Sequence, residues 1–299
     1  MTDQRVSALH HPEPLVQLRD GTDLIIRTDG HLQFGTMPAH ALILPLPPHV
    51  AVDQIHQVMR ELRRPMQEPT VLRLLTHCGV PPVHARGILT ELEKAGLLRT
   101  RPAGHHLRVQ VTGPSLYTRA VVRELRRLDV PASGISPGTP AFGRLGPDDL
   151  VVMAGMLFPP ADVSYRLMDL GVPHLTCGVV DARAVVGPLV LPGRTGCLSC
   201  LDAGYLDEDA RWRTTRVQVT ATPAPTSTRI LELAAALTAD AVRDLLDRRS
   251  TGAHATDWPL PEPLTGRRFI DPRQLSVTTT ELHPRTGCSS CALVGHRAR

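Results

Sequence analysis

Arg194-Thr195-Gly196-Cys197-Leu198-Ser199-Cys200 and, near the end of the chain, Arg285-Thr286-Gly287-Cys288-Ser289-Ser290-Cys291 repeat one signature. A tight Cys-x-x-Cys turn aims two thiolates at one ion. Two such turns make the soft four-sulfur set that Zn²⁺ takes in closed structural sites. The repeat predicts one tetrahedral zinc site at Cys197, Cys200, Cys288 and Cys291, joining chain segments far apart in sequence. Two independent redox dithiols are the other reading. A closed site leaves no position for a reactive water, so the metal is read as structural and the function is sought elsewhere.

Outward from the cysteines, the chain has 299 residues, 42% hydrophobic and 21% charged, enough for a sizeable core and for two domains. No apolar run approaches the roughly 20 residues that span a bilayer, and no basic-then-apolar signal opens the chain. A cytoplasmic location and a reducing environment that keeps thiolates available for metal are expected. Cys78 and Cys177 lie in apolar surroundings and read as core. A net charge of +4 is no argument for nucleic acid at this length. Lys94 is the single lysine.

Residues 1–105 read as one domain. Leu24 to Arg27 and His31 to Phe34 flank the hairpin signal Asp29-Gly30, and Ala41-Leu42-Ile43-Leu44 is a third strand before Pro45. Helical spacing then gives Val52 to Leu62, a shorter helix through Val71 and Leu75 ended by Gly79, and a third through Ile88 and Leu92 closed by Gly96. Three strands and three helices predict a small winged-helix-like α+β domain. The third helix carries Glu91 and Glu93 beside Arg86 and Lys94, a poor face for phosphates. Strand addition of a peptide at Ala41 to Leu44 is the favoured use. Ala41, Leu42, Ile43 and Leu44, with Arg86 and Thr90 on the third helix, are the expected peptide-binding residues. In element order, and in the ending Ile88 to Leu98, this segment resembles the peptide-recognition element of biosynthetic pathways for ribosomally made, modified peptides.

Residues 106–299 alternate strand and helix: Leu107 to Thr112, Leu116 to Leu128, Asp149 to Ala154, Ala161 to Leu170 and Pro173 to Val180. This is the rhythm of a doubly wound α/β, Rossmann-like sheet. The segment from Val186 to Cys200, a helix around Arg229 to Leu246, and the tail His283 to Cys291 resemble the E1-like family of ThiF/MoeB-type activating enzymes. The resemblance covers about Leu107 to Cys291. It implies a fold with a closing tetrathiolate zinc site and, in active members, adenylation of the C-terminus of a small carrier protein.

That chemistry needs a glycine-rich first turn, a cationic phosphate clamp and an Mg²⁺-binding aspartate. The first turn here is Gly113-Pro114-Ser115-Leu116-Tyr117-Thr118, with one glycine. The aspartate position falls near Met156, Asp162 is a poor substitute, and no lysine follows residue 94. Ser133-Gly134-Ile135 reads as a remnant of the second strand. Arg123, Arg126 and Arg127 read as a solvated helix face, Asp202, Asp207, Glu208 and Asp209 as an exposed acidic turn, and Ala253 to Gly266 as a surface loop. Thr222, Pro223, Pro225 and Thr226 suggest nothing catalytic. His10-His11 and His105-His106 read as solvated.

A peptide-recognition element followed by an E1-like domain without its ATP site resembles the leader-peptide-binding partner of azoline-forming cyclodehydratases. The resemblance implies a non-catalytic scaffold that captures the leader of a precursor peptide for a YcaO-type ATP-dependent enzyme, with Zn²⁺ as its only cofactor. A homodimer is a further expectation. An adenylyltransferase for a sulfur-carrier or ubiquitin-like protein, and a winged-helix DNA regulator, are the alternatives.

Overall fold

The computed structural model describes residues 13–47, 49–101, 108–221, 226–248, 258 and 260–295. The chain divides into two compact units, Met1–His105 and His106–Arg299. His10-His11, His105-His106 and the stretch 222–225 lie outside the described residues, as do residues 253–257 and 259 of the expected loop.

In the first unit the expected strands form at β2 (Leu24–Ile26), β3 (Leu32–Phe34) and β4 (Leu42–Leu44), and the helices at α1 (Val52–Glu61), α2 (Glu68–His77) and α3 (Pro82–Lys94). A second small sheet joins them, made of β1 (Leu15–Leu18), β5 (Met66–Gln67) and β6 (Leu98–Arg101) in the order β5-β1-β6. The expectation of three strands therefore undercounted. Leu15 to Leu18 is too short for a period-2 pattern to stand out, and β5 has two residues. Alternation still governs the first sheet: Leu32 and Phe34 are fully buried, and with Leu42 and Leu44 they pack on Ile55, Met59, Val71 and Leu92.

The second unit is built on a seven-stranded sheet, order β13-β12-β11-β10-β9-β7-β8. Its strands are β7 (Arg108–Thr112), β8 (Ala132–Gly134), β9 (Asp149–Ala154), β10 (His174–Val180), β11 (Arg183–Val190), β12 (Gly266–Asp271) and β13 (Ser276–Glu281). Strands β8, β7, β9 and β10 run parallel, and β10 to β13 are joined antiparallel. Every residue of β9 is buried, as expected of a parallel strand covered on both faces. Helices α4 (Ser115–Arg127) and α8 (Thr228–Arg248) cover one face, where Ala234, Ala235 and Ala239 let α8 approach the sheet closely. Helices α5 (Ala161–Asp169) and α6 (Leu198–Glu208), with α9 (Ser289–Gly295), enclose the core on the other face. Helix α7 (Trp212–Ala221) follows α6.

Two surface assignments change, and a third keeps its exposure but gains partners. Asp202 is half-buried in α6, where its carboxylate accepts hydrogen bonds from Trp212 Nε1 at 3.1 Å and Arg216 Nε at 2.5 Å. It is no member of an exposed acidic turn, whereas Asp207 is exposed and pairs with Arg285. Trp258 and Leu264, read as loop, are buried in the core under α8. The α4 arginines are solvent-facing but engaged: Arg123 pairs with Glu124 and Glu232, Arg127 with Glu124, and Arg126 donates to the Ala132 carbonyl.

Candidate functional site

The four signature cysteines meet. Cys197 starts α6 and Cys200 lies in its first turn, its N–H bonded to the Cys197 carbonyl at 3.0 Å, while Cys288 and Cys291 bracket the start of α9. All four Sγ atoms lie within 4.8 Å of one another. The separations are 3.8 Å for Cys197–Cys200 and 3.6 Å for both Cys197–Cys288 and Cys200–Cys291. These are far too long for disulfides and match the edge of about 3.8 Å expected between sulfurs placed tetrahedrally around a Zn²⁺ at about 2.3 Å. Ser199 and Ser290 tie the two turns together, hydroxyl to hydroxyl, at 2.7 Å. Burial pushes the Cys197 thiol up to about 11 and raises Cys291 further, with the neighbouring sulfurs adding to both. At Cys288 burial acts upward too, but hydrogen bonds from the Cys291 N–H and the other thiols outweigh it and lower the value. Four sulfurs packed this way ionise together only around a cation, and a divalent metal that prefers thiolates fits the set.

Cys177 is buried in β10 with its thiol pushed up to about 11 by desolvation, an inert core group. Cys78 is half-buried against the first unit's core.

A second feature lies where the order of the parallel strands reverses, between β7 and β9, beyond their C-terminal ends. This is the place where open α/β sheets bind ligands. A cavity of about 510 Å³ opens there, lined among others by Gly113, Tyr117, Met156, Phe158, Asp181 and Val219. Gly113 has φ +134, and a Cβ on it would meet the Ala154 carbonyl oxygen at 1.9 Å, so only glycine fits between the strands. Tyr117 packs its ring over Gly155, where a Cβ would meet it at 2.6 Å, and its hydroxyl bonds Thr226 at 2.7 Å. Met156, near which the resemblance leads the aspartate to be expected, lines the cavity. Asp162 is exposed in the first turn of α5 and is not part of the lining. The lining includes one charged side chain, Asp181, and no lysine or arginine.

The peptide-site expectations fall on the first unit. β4 is an edge strand of the sheet β2-β3-β4. Arg27 N–H bonds His31 O and Gly35 N–H bonds Asp23 O, so residues 31, 33 and 35 face β2 and Leu32 and Phe34 face β4. Leu42 and Leu44, paired with Phe34 and Leu32, spend their backbone groups on β3. Ile43 sits opposite Gln33 in the alternate pair, so its N–H and C=O point to the free edge, as do those of Ala41. Pro45, next in that series, offers a carbonyl and no donor. Arg86 and Thr90 are exposed, one turn apart on α3, and Thr90 donates its hydroxyl to the Arg86 carbonyl at 3.0 Å. Helix α3 packs on α2 and β6, and β4 pairs with β3.

Sequence reasoning missed the cluster that braces the cavity wall. Phe158, Tyr205 and Trp212 contact one another ring to ring, with centroids 4.7–6.5 Å apart. Arg267 of β12, 1% exposed, stacks on Phe158 at 4.9 Å and donates to the Leu157 carbonyl at 2.6 Å. The aromatic residues come from three separate segments, and nothing in their local sequence announces the meeting. The signal available was scarcity: 3% of the chain is aromatic.

Among solved structures, a heterocyclase in complex with substrate and cofactor superposes with TM-score 0.59 at 16% identity over 93% of this chain. The heterocyclase TruD gives 0.57 at 16% over 93%. The fold is that of heterocyclase and MccB chains. The microcin C7 biosynthetic enzyme MccB, in complex with N-formylated MccA, gives 0.52 at 14% over 93% of this chain. This chain spans 39% and 43% of the two heterocyclase chains and 99% of the MccB chain. No family profile matches the chain, and no curated protein does. No helix among the described residues is long and apolar enough to cross a membrane.

Proposed function

We propose that this protein is a peptide-binding scaffold of modified-peptide biosynthesis, holding the leader of a precursor peptide for a separate YcaO-type ATP-dependent enzyme. The carrying observation is the β4 edge. Its outward N–H and C=O groups at Ala41 and Ile43 offer a short ladder to an extended peptide, with Leu42 and Leu44 holding the strand on the core. On this reading Arg86 and Thr90 contact the peptide from α3, and the four cysteines hold a structural Zn²⁺. The cavity supports a role without nucleotide chemistry, because no cation lines it and Tyr117 occupies the turn where phosphates would need close backbone approach. The heterocyclase and MccB likenesses agree with a place in peptide modification. A homodimer and a cytoplasmic location complete the proposal.

The test combines two titrations. A peptide selected by the protein from a displayed library is titrated against wild type and Ile43→Pro. The variant loses the outward N–H while leaving the β3–β4 ladder intact, and at least a roughly tenfold loss of affinity is expected. Mg-ATP titrated into the metal-loaded protein is expected to give no binding heat. Undiminished peptide binding by Ile43→Pro sinks the docking edge, and micromolar Mg-ATP binding turns the assignment to the adenylyltransferase.

A further inference from the structure

The cavity at the strand-order reversal is well formed, and the proposed scaffold role leaves it without an occupant. Its volume of about 510 Å³ lies inside the roughly 300–1,000 Å³ range of small-molecule sites. Its walls are apolar and stiff: Pro114, Pro137, Pro159 and Pro160 contribute, with Met156 and Phe158. Prolines bring no N–H, so the available backbone donors are concentrated elsewhere. They include the Tyr117 N–H in the first turn of α4, a helix that begins at Pro114 on the cavity wall without a side-chain cap, and α5 likewise begins uncapped at Pro160. Thr112 also lines the cavity, fully buried, and its hydroxyl has no hydrogen-bond partner among the described residues.

Charge decides which ligand class fits. Two helix N-termini supply about half a positive charge each. Asp181 on the lining and Asp162 in the first turn of α5 set two carboxylates against them. Behind the wall, Arg267 and Arg216 hold the Leu157 and Pro159 carbonyls and Asp202 pairs with Arg216, so the two arginines and two helix ends are offset by Asp181, Asp162 and Asp202. With no lysine or arginine in the lining itself and no net positive balance, a polyphosphate or a free carboxylate gains little there. Carbonyl oxygens suit the free donors without bringing charge. We propose that this cavity binds an uncharged, carbonyl-bearing ligand with an apolar body, of the chemical class of an internal apolar peptide residue. The cavity lies wholly within the second unit, and the inference stands whether or not strand addition at β4 is correct.

The far wall gives a means of closing the site. Val219 and Thr220 belong to α7, and Thr220 donates its hydroxyl to the Phe158 carbonyl at 3.0 Å while Arg216 donates to the Pro159 carbonyl at 2.8 Å. Val219 is half-buried, so a larger side chain there fills the cavity without entering the core.

The test uses the full chain and backbone amide shifts by NMR. The probes are N-acetyl-leucinamide, N-acetyl-leucine as its charged counterpart, and Mg-ATP. The amide is expected to shift the signals of Thr112, Gly155 and Val180, the carboxylate to bind about tenfold more weakly, and Mg-ATP to displace neither. Val219→Trp is expected to lose amide binding with unchanged melting temperature. Should that variant fail to fold, Met156→Phe fills the cavity from the opposite wall. The proposal is overturned if no probe moves these signals, if the carboxylate or Mg-ATP binds better than the amide, or if a folded cavity-filling variant binds like wild type.

Discussion

His174 is fully buried in β10, its Nδ1 bonded to the Val172 carbonyl at 2.8 Å and its Nε2 without a partner among the described residues. With Nδ1–H donating, the ring is neutral, and desolvation holds its pKa down to about 4. As pH falls, the unfolded chain takes up this proton first, near 6.5, and the folded chain only near 4. Stability from this residue is therefore complete above about 6.5 and declines as pH drops toward 4, by about 3 kcal/mol in all. Urea unfolding of His174→Gln between pH 4 and 7 should show a flatter acid limb than wild type, and an identical limb would refute the assignment. The β4 edge offers a second contrast at this scale. Ile43→Pro should unfold near the wild-type temperature, because Ile43 spends no backbone group on β3. Leu42→Pro, which breaks a ladder bond to Phe34, should cost about 3 kcal/mol or more. Equal melting of the two would show that the register is shifted by one.

At the scale of elements, the four thiols fasten α9 to the start of α6, and α6 leads through Tyr205 and Asp202 into α7. Ser199–Ser290 and Asp207–Arg285 are further ties between the same pieces, and Tyr165–Ser289 ties α9 to α5. These polar ties are few or exposed, so the metal is expected to carry most of the attachment. Cys288→Ser should lower bound zinc and reduce the melting temperature of the second unit by roughly 5 °C or more. Cys177→Ala, altering a core thiol outside the cluster, should leave zinc content at one per chain. Full metal content in Cys288→Ser would refute the four-sulfur set. Because α7 forms one wall of the cavity, chelation should also broaden the α7 amide signals.

Across the whole molecule, legibility followed the length and regularity of the pattern. The apolar run of β9 and the stripe of α4 stand out because burial on both faces, or on one, leaves a plain period in the residues. The four-cysteine cluster was legible because the repeated Cys-x-x-Cys spacing stands out. Strands β1, β5 and β6 were missed because two to four residues carry no period, and β12 because Arg267 puts a charge at a buried position. The cavity could be anticipated only as a loss, a glycine turn reduced to Gly113. Its apolar walls come from four separate loops that only the folded sheet assembles. Among the described residues, the first unit's buried apolar side chains form one cluster and the second unit's form two others. Chelation should therefore shift one thermal transition and leave the other in place, by calorimetry of the intact chain. A shift of both would show that the cores are thermodynamically coupled.

The lone lysine gives the chain an experimental handle. Lys94 stands 68% exposed at the end of α3, in an ion pair with Glu91, two helical turns beyond Arg86 and one beyond Thr90. Blocking the chain's own terminal amine first at lower pH, where an α-amine reacts ahead of a lysine amine, and adding the dye afterwards at higher pH would put a single dye on that helical face without any engineered cysteine. The four clustered thiols would stay untouched. One natural side chain thus allows docking to the first unit to be followed by fluorescence while the metal site is left as the fold made it.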